Sequence, residues 1–175
     1  SFTNDDLKLL ESFADQAAIA VQNALLYTQV SQEKQQIDAL LDSVADSILI
    51  MKSNRVIERV NPAFARLFGR PMDEIIGKTH DDVIRWSKLE HGLTLEEAEA
   101  GGWPLTPQAT LYVEGDLIRD DNSIVPIGIT YAPLLSMDGN LDNIIASIRD
   151  ITHFREAEDI KSTFISVVSH ELKTP

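Results

Sequence analysis

One histidine stands beside one carboxylate near the C-terminal end of the chain, in the stretch FISVVSHELKTP at residues 164–175. His170 can serve as a nucleophile, and the adjacent Glu171 can orient or deprotonate an imidazole. Taken alone, such a pair on a helix reads more readily as a solvated surface pair. A zinc-protease helix is excluded on spacing, because H-E-x-x-H needs a second histidine at 174 and Thr174 stands there. The sequence carries no nucleophile elbow, glycine-rich phosphate loop or metal-ligand cluster, so an autonomous hydrolase finds no support. Chemistry at His170 is expected to draw on groups beyond Pro175.

The element that must position His170 is a helix. From Thr152 onward, Phe154, Ala157, Ile160, Phe164, Val167, Val168 and Leu172 recur at helical spacing on one stripe. At about 100° per residue the stripe centres near Ala157 and Phe164, and His170 lies roughly 140° from that centre. A helix paired along this stripe points His170 into solvent and leaves Glu171 nearer the seam. Pro175 is expected to end or kink it.

A second long helix opens the chain. Thr3 and Asp6 form a near capping box with Asp in place of Glu. Leu7, Leu10, Phe13, Ala17, Ala20, Val21, Ala24 and Leu25 then make one apolar stripe. Residues 31–36 are wholly polar, and apolar spacing resumes at Ile37, Leu40, Leu41 and Val44. The spacing predicts one helix of about 40 residues, or two nearly in line. That length points to a coiled coil or a connector.

Between the helices the pattern changes. Residues 48–51 and 56–60 read as strands around a turn at Ser53 and Asn54. Asn61 and Pro62 open a short helix with Phe64, Leu67 and Phe68 on one face. A helical turn at 73–76 is stopped by Gly77, and Thr94 with Glu97 forms a capping box ahead of Gly101 and Gly102. Strands follow at 110–118, 124–131 and 141–149, joined by hairpin signals at 119–123 and 137–140. This predicts an α+β fold: a five-stranded antiparallel sheet with short helices, flanked by long N- and C-terminal coiled-coil helices.

Composition narrows the partners. The 175 residues include 15 Lys and Arg against 28 Asp and Glu, a net charge of −13, which excludes nucleic acid and direct contact with an anionic membrane. There is no cysteine, hence no disulfide framework or thiolate chemistry. No apolar run approaches the ~20 residues of a membrane span. Without an initial Met or a signal peptide, the chain is expected to be a cytoplasmic piece of a longer protein.

Three stretches carry a family resemblance. Residues 164–175 resemble the H-box of sensor histidine kinases, which opens their dimerization and phosphotransfer helix. The middle of the chain resembles a PAS domain. Its signs are Asn61-Pro62-Ala63-Phe64 after the second strand, Ile76-Gly77-Lys78 after a short helix, and Asp150-Ile151-Thr152 closing the last strand. Residues 10–20 with Asn23 and Ala24 resemble the C-terminal helix of a GAF domain. The resemblance implies four segments: the end of a GAF domain at 1–30, a helical linker at 31–46, a PAS domain at 47–152, and a signalling helix with the start of the kinase dimerization domain at 153–175.

By that resemblance His170 is the phosphoacceptor, Glu171 its acid/base or orienting partner, and Thr174 a polar residue related to phosphatase activity. Asp150 and Thr152 form the signal junction, with Thr152 as expected N-cap. The implied partners are a second copy of the chain, the parent's own ATP-binding domain and a response-regulator receiver domain. ATP and Mg are expected for the parent kinase, and no cofactor or metal for this piece. Phe64, Phe68, Trp86, Ile127, Ile129 and Tyr131, with Ile48, Ile50 and Ile148, are candidate linings of a PAS pocket of unknown ligand, or simply core. His80 and His91 are offered as haem ligands but read as surface or loop histidines, as does His153. A flavin–cysteinyl photosensor is excluded by the missing cysteine. The alternative function is a non-catalytic, ligand-binding PAS dimerization module.

Overall fold

The computed structural model describes residues 1–174; the expected break at Pro175 lies outside them. They form two compact units, one ending at Ser43 and the other beginning at Val44.

The first unit is a single helix, α1 (Asn4–Ser43), which runs unbroken through the polar stretch at 31–36. Its start is fixed as the residue types require. The backbone N–H of Thr3 donates to the Asp6 carboxylate at 2.8 Å, and the Asp6 N–H donates back to Thr3 Oγ1 at 3.3 Å. No residue of α1 is buried.

The second unit is built on one antiparallel sheet. Its strands are β1 (Ser47–Lys52), β2 (Ile57–Val60), β3 (Trp86–His91), β4 (Leu111–Ile118), β5 (Ile124–Leu135) and β6 (Leu141–Asp150). The order is β2-β1-β6-β5-β4-β3. Four short helices, α2 (Pro62–Phe68), α3 (Met72–Ile75), α4 (His80–Val83) and α5 (Leu95–Ala100), connect β2, β3 and β4, and α6 (Thr152–Lys173) leaves from β6.

The expected sheet of five strands is corrected to six. β3 carries only Trp86 and Leu89 as large apolar residues and shifts register against β4 twice, between Trp86 and Lys88 and between Leu89 and His91. Each bulge breaks the alternation by which a strand is recognised. Gly115 lets β3 come close, since a Cβ there would stand 2.4 Å from the Lys88 carbonyl.

One face of the sheet makes the core with α2. Leu49, Met51, Val113, Leu117, Ile127, Ile129, Tyr131, Ile144, Ala146 and Ile148 are buried on it, with Phe64 and Phe68 stacked 4.1 Å apart. Ile48 and Ile50 are a further correction: they are half-buried on the opposite face, while Leu49 and Met51 point inward. In a strand a one-residue offset exchanges the two faces.

The entry to the sheet is held by Asn61, itself buried. Its Oδ1 accepts from the N–H of Ile48 at 2.9 Å and of Phe64 at 3.0 Å, and its Nδ2 donates to the Asp46 carbonyl at 2.9 Å. The same side chain thus caps α2 and fixes the start of β1.

Candidate functional site

The candidate chemistry lies on α6. No residue of this helix is buried, and its apolar stripe is open: Ile160, Phe164 and Leu172 are 71%, 67% and 82% exposed. His170 and Glu171 are both exposed, and the Thr174 hydroxyl donates to the His170 carbonyl at 2.9 Å. The three residues therefore share one solvated helical end.

The junction of β6 with α6 is tied by hydrogen bonds between the two residues named from sequence, while the cap falls elsewhere. Thr152 is the first helical residue, not the cap; Ile151 holds the cap position. Asp150, one residue before the cap, ties the first turn, its Oδ1 accepting from the Thr152 N–H at 2.9 Å and from the Thr152 hydroxyl at 2.6 Å. Next to it, Arg149 pairs with Asp46 at 2.7 Å.

One turn into α6, Arg155 reaches across to the edge of the sheet. Its guanidinium lies 3.0 Å from Glu90, 3.6 Å from Glu114 and 2.6 Å from Asp116. Burial works against this cation, and the hydrogen bond to Asp116 with the charges of Glu90, Asp116 and Glu114 outweighs it, so its pKa rises above the ordinary arginine value. Glu114 is shared: its Oε2 accepts from the Tyr112 hydroxyl at 3.0 Å while Oε1 faces Arg155. Burial and the neighbouring carboxylate hold the Tyr112 phenol above its ordinary value, so it keeps the proton it donates. Glu90, His91 and Glu114 bring one donor atom each within 4.8 Å of one another, and Arg155 already supplies the positive charge there.

A groove of about 610 Å³ opens on the outer face of the sheet, lined among others by Tyr112, Thr130, Ser147, Asp150 and Phe154. The candidate pocket residues instead face the other side. Phe64, Phe68, Ile127, Ile129, Tyr131 and Ile148 pack together as core, with Trp86 half-buried at its margin.

Within that core lies a polar network. His80 is 3% exposed, a correction to its reading as a surface or loop residue; His91 and His153 are exposed. The His80 ring meets Asp81 at 2.7 Å through Nδ1 and Tyr131 at 2.7 Å through Nε2. Arg55 lies 2.9 Å from Asp81 and 3.5 Å from Glu99, so the network runs from the core to the surface. Neither this network nor the Arg155 cluster shows locally in the sequence, because the partners come from separate elements.

Among the described residues, no helix is long and apolar enough to cross a membrane. A family model described as "PAS domain" matches residues 45–153. The chain is 23% identical over 174 residues to the sensor protein kinase WalK of Staphylococcus saprophyticus subsp. saprophyticus, covering 99% of this chain and 26% of that protein. It is 28% identical over 161 residues to drug sensory protein A of Synechocystis sp., covering 84% and 24%. It thus spans about a quarter of the length of these curated relatives. The crystal structure of the PAS domain of an HTR-like protein from Haloarcula marismortui shares the fold, with TM-score 0.56 and 18% identity over 73% of this chain and 99% of that one.

Proposed function

Because the chain belongs to the PAS domain family through residues 45–153, we propose that it is the sensory and signal-relay region of a two-component sensor histidine kinase. In this reading the PAS domain controls phosphorylation of His170 by an ATP-binding domain carried elsewhere in the parent protein. One observation carries it: α6 starts directly at the last strand of the sheet and holds His170 exposed near its far end. The similarity to WalK, a sensor protein kinase, runs along nearly the whole chain, flanking helices included, and supports the same reading.

The chemistry assigned to each group follows. A ring nitrogen of His170 attacks the γ-phosphorus of ATP, an N–P bond forms, and the P–O bond to ADP breaks. Glu171 orients the ring and takes up its proton. Mg and the phosphate-binding groups belong to the ATP-binding domain. Two copies pair along the apolar stripes of the long helices, α1 brings in the signal of an upstream GAF domain, and Asp150 and Thr152 pass the state of the sheet into α6. Thr174 is the polar residue for phosphatase activity towards a response-regulator receiver domain. The region acts in the cytoplasm.

Incubating the full-length kinase with γ-labelled ATP tests this. Label is expected on the protein and absent from His170→Ala; label that persists in the variant overturns the assignment. Binding of a small molecule without labelling would favour the ligand-binding dimerization module.

A further inference from the structure

The geometry points to Arg155 as a positioning residue for the helix that carries His170: its guanidinium pins the first turns of α6 to the β3–β4 edge, and release of that pin is the step through which the sheet acts on the helix. The inference rests on the reading of His170 given above.

Three features of the pin argue for this role. First, it joins separate elements. Arg155 is on α6, Glu90 on β3, and Glu114 and Asp116 on β4. Ordinary surface pairs on one helix cannot transmit a displacement between elements; this one spans the last element and the sheet edge. Second, the edge is shaped for it. Leu89 pairs with Gly115 and His91 with Glu114, so Glu90 is the extra residue of a bulge. A bulge re-aims a side chain, and here Glu90 is brought onto Arg155. Third, the pin can open. The Arg155 side chain and its three acidic partners are between 17% and 27% exposed, and its buried Nε and Nη2 have no hydrogen-bond partner, so the one hydrogen bond from Nη1 to Asp116 holds it directionally. Three carboxylates face one guanidinium, and the surplus negative charge resists closing any tighter.

The pin is also joined to the outer face of the sheet. Tyr112 donates to Glu114 and lines the groove together with Phe154 of α6. A Cβ on Gly128 would stand 2.6 Å from the Tyr112 hydroxyl, so the ring lies directly over that glycine. Whatever shifts the Tyr112 ring changes the carboxylate that faces Arg155.

The test compares Arg155→Gln, Asp116→Asn and the conservative Arg155→Lys. In this chain, hydrogen exchange of the amides at 155–160 should speed up tenfold or more in the first two variants, with β5 and β6 unchanged, and Arg155→Lys should lie between them and the parent. In the full-length kinase the same two variants should alter the rate of His170 labelling threefold or more, with the KM for ATP unchanged. Unchanged exchange in both variants overturns the pin. Faster exchange with an unaltered labelling rate overturns the positioning role. If the unmodified kinase does not label His170, the phosphoacceptor reading fails, while the exchange comparison still decides the pin.

Discussion

The phenolic oxygen of Tyr131 lies 2.7 Å from Nε2 of His80, so the middle of β5 is bonded to the first residue of α4 inside the core. Burial, and after it the Asp81 charge, pushes the Tyr131 phenol far above its ordinary value. The phenol therefore keeps its proton, and its oxygen shares one hydrogen bond with Nε2 while Nδ1 faces Asp81. Removing the phenol leaves the buried Nε2 without that partner. Tyr131→Phe should lower stability by about 1–3 kcal/mol, read from urea unfolding, and His80→Ala by at least as much. A double-mutant cycle should show coupling between the two; additive losses would mean that the contact is incidental.

Asp81 gives the same network a pH dependence. The hydrogen bond from His80, followed by the charges of His80 and Arg55, holds its carboxyl below the ordinary value of 3.8, against the opposing effect of burial. The folded protein thus binds this proton less readily than the unfolded chain does. Stability from Asp81 is full above pH 3.8 and lost as the pH falls through the folded value. The stability gap between the parent chain and Asp81→Asn should be widest near neutral pH and should close below pH 3.8. Urea titrations at several pH values check this, and a gap that widens on acidification would contradict it.

Asn61→Ala removes a helix cap and two further contacts in one step. The N–H of Ile48 loses its acceptor, and that of Phe64 keeps only the backbone carbonyl of residue 61 at 3.1 Å. Losing a cap costs about 1 kcal/mol and a stranded buried N–H about 1–3 kcal/mol. The expected loss is the sum, and crystal structures of variant and parent should differ at residues 44–48 before they differ anywhere else in the sheet.

The open stripe of α6 predicts its own partner. In a dimer paired along that stripe, Ile160→Glu with Phe164→Glu should weaken association at least a hundredfold, since each large apolar side chain contributes roughly 1.5–3 kcal/mol when buried. Analytical ultracentrifugation reads the change directly. A parent chain that stays monomeric at every accessible concentration would remove the dimer from the proposal.

The parts of the fold that local rules govern were legible in the sequence. The two capping boxes, the hairpins and the long helices follow from residue type and spacing, and each is present. What escaped depends on which strand lies beside which. In the run Ile48 to Met51 every residue is apolar, so alternation alone cannot choose a face; pairing with β2 and β6 does. β3 escaped because its bulges spoil the period that marks a strand. His80 gives no local sign of burial, since its partner Tyr131 stands fifty-one residues away. Arg155 meets its three carboxylates for the same reason: only the folded sheet brings Glu90, Glu114 and Asp116 to one place.

The Asp46–Arg149 ion pair marks where the chain enters and leaves the sheet, with Ser47 directly opposite Ile148 in the register. Neighbouring strands are ~5 Å apart, so the entry to the sheet and the exit from it are separated by little more than the spacing of consecutive residues. A unit with adjoining ends can be grafted into a host loop without stretching the host. The sheet between residues 44 and 151 is in that sense a cassette: it can be exchanged for another of the same geometry with no re-spacing of whatever it is inserted into.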